Sequence, residues 1–273
     1  MNVLVTGGSG HLGRDVVRLF KPGGHRPRIL SRHAAPSGEA EWVQGDLATG
    51  QGIREAVAGV DTIVHAATLS PAAQRGRLRP VDFLRTPSDV DVEGTRRLLA
   101  AAQRESVSYL VHVSIVGVER SRLPYMRVKL AAEELVRGGG VPWSIIRATA
   151  FYWLLDGFLA NMKRMPFWAL PRRLEMQPGD SREFAAYVVA CAIEGAGGMR
   201  REFAGPEVLG IRELARQYQQ ERQLRRPIVP VPLPAAAARS AGSLPADDPV
   251  LGRTTWRQWL RTKGGEQGSG PGP

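Results

Sequence analysis

Cysteine occurs once in the 273 residues, at Cys191. That count excludes an internal disulfide and any metal centre built on several thiolates, and no metal site is expected. The surrounding Val188-Val189-Ala190-Cys191-Ala192-Ile193 reads as a buried helix face, where cysteine acts as a small hydrophobe. Long apolar runs are missing too: no window approaches the roughly twenty residues needed to cross a bilayer. The chain enters its first apolar stretch without a charged leader or cleavage site, so a cytoplasmic protein with no membrane association is expected. Lysine is nearly as sparse, found only at Lys21, Lys129, Lys163 and Lys263, so the net charge of +11 comes mostly from scattered arginine. Clusters occur at Arg75-Gly76-Arg77-Leu78-Arg79 and from Arg222 to Arg226, but no aromatics interleave with them, and nucleic acid is not an expected partner.

Against these gaps stands a dense N-terminal motif. Val3-Leu4-Val5-Thr6 reads as a buried strand that runs into Gly7-Gly8-Ser9-Gly10-His11-Leu12-Gly13 and then into an amphipathic helix ending near Phe20. A pyrophosphate site needs glycines where the backbone turns and approaches the ligand, and a helix N-terminus facing the negative charge. Gly7 and Gly10 suit the close approach and Gly13 suits close packing of the helix. Further strands are read at Arg28-Ile29-Leu30-Ser31, Glu41-Trp42-Val43-Gln44, Asp61 to Ala66, Tyr109 to Val113 and Trp143 to Arg147. Helices are read near Ile53 to Ala58, Val90 to Arg104 and Met126 to Arg137. Continuous apolar strands alternating with helices define an α/β doubly wound parallel sheet of the Rossmann type over residues 1–150. A small C-terminal substrate lobe is expected over 151–263, with helices at Phe151 to Met162, Arg182 to Glu194 and Ile211 to Arg222, and a frayed tail over 264–273.

The second strand ends Ser31-Arg32-His33 with no carboxylate at its tip, and the nearest acids are Glu39 and Glu41. An acid there would hold the ribose hydroxyls of NAD, whereas an arginine accommodates a 2′-phosphate, so NADP (as NADPH) is expected over NAD, with Arg32 as the phosphate partner. Asp46-Leu47 suits an adenine contact, or a cap on the next helix.

Tyr125-Met126-Arg127-Val128-Lys129 carries the chemistry. Residues four apart share a helix face, so a phenol and an ammonium would point into one cleft. An ammonium beside a phenol favours the phenolate and is expected to draw its pKa from about 10 toward working pH.

With these residues in view the chain resembles the short-chain dehydrogenase/reductase superfamily, and within it the atypical NmrA-like members. The likeness covers nearly the whole chain: Thr6 to Gly13 is similar to that group's glycine motif, Asp46-Leu47 to its adenine contact, His65-Ala66-Ala67-Thr68 to the segment along the cofactor, and Val92-Glu93-Gly94-Thr95 to its central helix. The resemblance implies cofactor contacts at Gly7, Ser9, Gly10, His11, Leu12, Gly13, Ala66, Ala67 and Lys129. It also implies Tyr125 as proton donor, Lys129 on the nicotinamide ribose, and Ser114 orienting a substrate carbonyl. At one place the pattern departs: where extended members carry two serines, Ser114 is followed by Ile115. Phe151, Tyr152 and Trp153 open the lobe where it should face the nicotinamide, with Phe167-Trp168 further on, and either stack on a flat apolar substrate or pack the lobe. The expected function is an NADP-dependent oxidoreductase passing hydride to a carbonyl or quinone of a small aromatic molecule. The alternatives are an epimerase, isomerase or dehydratase that retains its nucleotide, and a non-catalytic redox sensor. A homodimer through paired helices is left open, since no exposed apolar stripe marks one.

Overall fold

The apolar runs of the first half become strands because each is buried on both faces by the helices that follow it. The computed structural model describes residues 1–33, 40–68, 88–121, 123–232, 244–246 and 248–266. In chain order the elements are β1 (Asn2–Thr6), α1 (His11–Phe20), β2 (Arg26–Ser31), β3 (Glu41–Gln44), α2 (Ile53–Val57), β4 (Thr62–His65), α3 (Thr95–Arg104), β5 (Tyr109–Ile115), α4 (Pro124–Gly138) and β6 (Trp143–Ala148). There follow α5 (Tyr152–Asn161), β7 (Trp168–Pro171), β8 (Glu175–Met176), α6 (Ser181–Glu194), β9 (Gly198–Met199), β10 (Phe203–Ala204), β11 (Leu209–Gly210), α7 (Ile211–Glu221), β12 (Ile228–Val231), β13 (Val250–Leu251) and α8 (Trp256–Glu266). The main sheet runs β13-β10-β6-β5-β4-β1-β2-β3, with β9 beside β6, and its strands pair parallel. After β3 the chain crosses back over β1 to lay down β4, which opens a crevice at the carboxyl ends of β1 and β4, where doubly wound sheets take their ligands.

Alternation along each strand sorts the core into two layers. Val3 and Val5 face α1 and α6, packing on Val16, Phe20, Phe184 and Val188. Leu4 faces the other way, onto the layer of Ile63, Leu98, Leu110 and Val136 under α2, α3 and α4. Cys191 lies on α6 and is buried, as its apolar neighbours suggest, and burial pushes its thiol pKa up. Asp180 caps α6, its carboxylate accepting the Arg182 N–H at 2.9 Å.

A third core holds the lobe together around Tyr152, Trp168, Tyr218, Trp256 and Trp259. The sequence reading missed α8, which extends three residues into the stretch expected to fray. Trp256 explains why it orders: the ring is wholly buried and its Nε1–H donates to the Leu214 carbonyl at 3.0 Å. The Arg75–Arg79 cluster, Glu39 and residues 267–273 lie outside the described residues. Among the described residues no helix is long and apolar enough to cross a membrane.

Candidate active site

Backbone geometry at the end of β1 dictates which glycines the fold needs. Gly7 has φ +72°, and a Cβ there would stand 2.9 Å from the Ala67 backbone. A Cβ at Gly13 would stand 2.1 Å from the Gly7 carbonyl oxygen, so the helix seats directly on the loop. At Gly10 the nearest protein atom to an added Cβ would be 3.2 Å away, the Gly7 carbonyl oxygen. No side chain caps α1 and no carboxylate sits in its first turn, which leaves the positive end of the helix facing the crevice. Bare backbone, positive helix end and switch-point crevice together fit a dinucleotide pyrophosphate.

The opposite wall of the crevice is tied to this loop by one chain of hydrogen bonds. Ala67 N–H donates to Thr6 Oγ1 at 3.3 Å, Thr6 Oγ1 meets His65 Nδ1 at 2.7 Å, and His65 Nε2 meets Thr95 Oγ1 at 2.8 Å. Thr95 gives its only hydroxyl proton to the Asp91 carbonyl at 2.6 Å. His65 Nε2 must therefore donate, and Nδ1 accepts from Thr6. Burial first, then the Lys129 charge, lowers the His65 pKa to about 4, with Asp91 pulling the other way, so the imidazole is neutral.

At the tip of β2 the structure rearranges the expected contacts. Arg32 is exposed, and it does not line the cavity of about 640 Å³ beside the glycine loop, whose walls include Ser9, Arg14, Arg18, Lys21, Ser31 and His33. Glu41, the nearest described acid, is turned onto Arg28 at 2.8 Å. Asp46 closes a turn, one carboxylate oxygen accepting the Ala48 N–H at 2.9 Å, and so caps neither α2 nor any other helix; Leu47 is buried.

Tyr125 and Lys129 stand one turn apart on α4, which starts at Pro124. Lys129 Nζ lies 3.3 Å from Asp91 Oδ1 and donates to the Val113 carbonyl at 3.4 Å, and both charged side chains are at least 96% buried, with exposures of 4% and 1%. Tyr125 is half-buried and lies near Thr68, next in sequence to the Ala67 whose backbone a Cβ at Gly7 would meet. Residues 66–68 thus run from the glycine loop toward the phenol. The expected pKa shift is corrected here: burial raises the Tyr125 phenol, Lys129 opposes it, and Asp91 adds to the rise, so the net direction is up. Burial works against the Lys129 ammonium, yet Asp91 and Tyr125 outweigh it and raise its pKa.

Ser114, the expected carbonyl-orienting group, is 3% exposed, as is Lys129, and lies beside the wholly buried Glu133 carboxylate. Burial disfavours that carboxylate, but Arg147 at 2.9 Å, Ser114 and Arg137 at 2.8 Å together lower its pKa. By strand alternation Ser114 shares one face of β5 with His112 and Leu110. Among the described lobe aromatics Trp153 stacks on His11 of the nucleotide loop, at 4.4 Å and 18°. Tyr152 is a core residue instead, its hydroxyl donating to the Thr254 carbonyl at 2.8 Å and its ring against Trp256 and Trp259. Phe151 packs on Phe184, and Trp168 is fully buried. The sequence reading overlooked Asp91 and Glu133 as site-shaping groups. The available signals were a lone carboxylate inside Val90-Asp91-Val92 and an acid four residues after Lys129 on the same helix stripe.

Parallel sheet and glycine loop together fit a dinucleotide-binding α/β protein. The family profile described as NAD(P)H-binding matches residues 7–156, and the chain belongs to that family. It is 30% identical over 254 residues, 88% of this chain and 79% of the relative, to a (4-alkanoyl-5-oxo-2,5-dihydrofuran-3-yl)methyl phosphate reductase of Streptomyces griseus. It is 29% identical to the photosystem II assembly factor Ycf39 of Cyanophora paradoxa over 58% of this chain, and spans only 48% of that relative's length. The fold matches, at TM-score 0.72 and 23% identity over 98% of this chain and 97% of the other, a short-chain dehydrogenase/reductase superfamily protein from Agrobacterium tumefaciens crystallised with bound NAD.

Proposed function

We propose that this protein is an NADP-dependent reductase that delivers hydride to a carbonyl or quinone of a small, flat molecule, with Tyr125 as the proton donor. The observation that carries this reading is the junction of the Tyr125–Lys129 pair with the glycine loop through Thr68 and Ala67. Gly7 to Gly13 would hold the pyrophosphate, Ala66 and Ala67 would line the cofactor's path, and Lys129 would reach the nicotinamide ribose. The bound nicotinamide supplies the hydride. Tyr125, kept protonated by its surroundings, is suited to give its proton to the oxygen on which negative charge develops. Lys129 places a positive charge next to the phenolate that this leaves.

Support for NADP over NAD lies in the basic rim. Arg14, Arg18, Lys21 and His33 border the cavity at the β2 tip, Arg32 stands exposed nearby, and Glu41 is occupied by Arg28. Trp153 is the lobe aromatic best placed to border a flat substrate, since it already leans on His11. Ser114, near the end of β5, would orient the substrate carbonyl.

Titration with NADPH and NADH, followed by a spectrophotometric screen of quinones and aromatic ketones, tests the reading. Tighter binding of NADPH and net NADPH consumption support it. Turnover without net consumption identifies a hydride-returning isomerase instead, and dinucleotide binding that Tyr125→Phe leaves functionally silent identifies a sensor.

A further inference from the structure

A two-stranded ribbon packed on a core ordinarily turns one apolar face inward and shows water a polar one. The ribbon of β7 and β12 departs from that rule. Its parallel register sets Trp168 opposite Ile228 and Ala169 opposite Val229. Trp168, Leu170 and Ile228 pack into the third core. Alternation then gives the other face to Phe167, Ala169 and Pro171 along one strand and to Pro227, Val229 and Val231 along its partner, without one polar side chain among them. Phe167 is 46% exposed and Val229 41%, and Met165, at 44%, extends the apolar surface on the approach to β7.

Both ends of the ribbon are basic. Lys163 and Arg164 precede β7, Arg172 and Arg173 follow it, and Arg225 and Arg226 precede β12, all of them exposed. No acid occurs in the sequence between Asp156 and Glu175 or between Glu221 and Asp247. The ion pairs on this side of the lobe, Arg222 with Asp156 at 3.5 Å and Arg261 with Glu221 at 3.1 Å, use other arginines. Among the described residues, Arg164, Arg172, Arg173, Arg225 and Arg226 therefore have no carboxylate partner.

We propose that this face is a peripheral docking surface for an anionic lipid membrane, with Met165, Phe167 and Val229 entering the headgroup boundary and the arginines at both ends lying among the lipid phosphates. Apolar burial and attraction to anionic headgroups are the two terms that hold a protein at such a surface. Lying on a bilayer needs no spanning run, so the absence that set membranes aside in the sequence does not bear on it. A second copy docked face to face would press the same cations together. A nucleic acid would meet the arginines but find no hydrogen-bonding side chain at the apolar centre. The proposal is independent of the reductive reading, and its test contains no dinucleotide.

Co-sedimentation of the full chain with lipid vesicles provides that test. The protein should pellet with vesicles of phosphatidylcholine mixed with phosphatidylglycerol, stay in solution with phosphatidylcholine alone, and be released by raised salt. Arg225→Glu/Arg226→Glu should weaken partitioning about tenfold or more, at about fivefold per cation removed. Phe167→Ser, at an exposed position, should weaken it severalfold without lowering the melting temperature. Arg54→Glu/Arg104→Glu makes the same charge change at exposed positions of α2 and α3 and should leave partitioning within about twofold. Protein that stays in solution with the anionic vesicles overturns the proposal and points to an acidic protein as the partner. Equal weakening in the Arg54/Arg104 variant also overturns it, because net charge alone would then account for the attraction. So does partitioning that neither Phe167→Ser nor Arg225→Glu/Arg226→Glu changes.

Discussion

At the residue scale, two side chains with ordinary reference properties acquire unusual ones from their neighbours. If Tyr125 is the proton donor, as proposed, its replacement by phenylalanine should lower turnover about 10²-fold or more while leaving the NADPH dissociation constant nearly unchanged, as steady-state kinetics and equilibrium titration would show. A matching loss of cofactor affinity would place the phenol in binding instead. His65 makes a second expectation. Its folded pKa of about 4 lies below the unfolded value of 6.5, so between those values the unfolded chain binds the extra proton. Stability is then full above the unfolded value and falls as pH drops toward 4, by on the order of 3 kcal/mol for this group alone. Urea titrations across that range should show the decline, and a flat profile would mean that the imidazole is not sealed in. The Tyr125–Lys129 spacing was visible in the sequence because it is local. Asp91 was not, because its partner lies a whole strand and helix away, and the burial of Ser114 was not, because a serine at a strand end does not reveal which face of the sheet it takes.

The elements show where glycine is required and where it is spare. Gly13→Ala would press a methyl group into the Gly7 carbonyl, costing about 1–3 kcal/mol in strain and disrupting the anion site, so both melting temperature and NADPH affinity should fall. Gly157, inside α5 with nothing within 4 Å of an added Cβ, is the opposite case. Gly157→Ala should stabilise by about 0.5–1 kcal/mol in denaturant titration, and destabilisation would show that the lobe needs that gap. The long parallel strands and amphipathic helices were legible because their apolar runs extend over several residues. Strands such as β8, β9 and β11 have two residues each and carry no period to read. Helix α8 was hidden because its signal is a pair of tryptophans three residues apart, set before a glycine-rich end.

Over the whole molecule, the glycine loop, the β4 edge and α4 come together only because the chain reverses across β1, and the lobe leans back on that junction through Trp153 and His11. Ligand seated there should stabilise the folded state as a unit. NADPH at a hundred times its dissociation constant should add about 2.7 kcal/mol and raise the melting temperature accordingly, with NADH at the same concentration adding less. The most direct measurement is a crystal structure of the protein grown with NADP. The account predicts pyrophosphate against Gly7 to Gly13, the adenosine phosphate at the basic rim of β2, and the nicotinamide beside Tyr125 and Lys129. A nicotinamide ring lying away from that pair, or crystals that exclude the dinucleotide at saturating concentration, would contradict it.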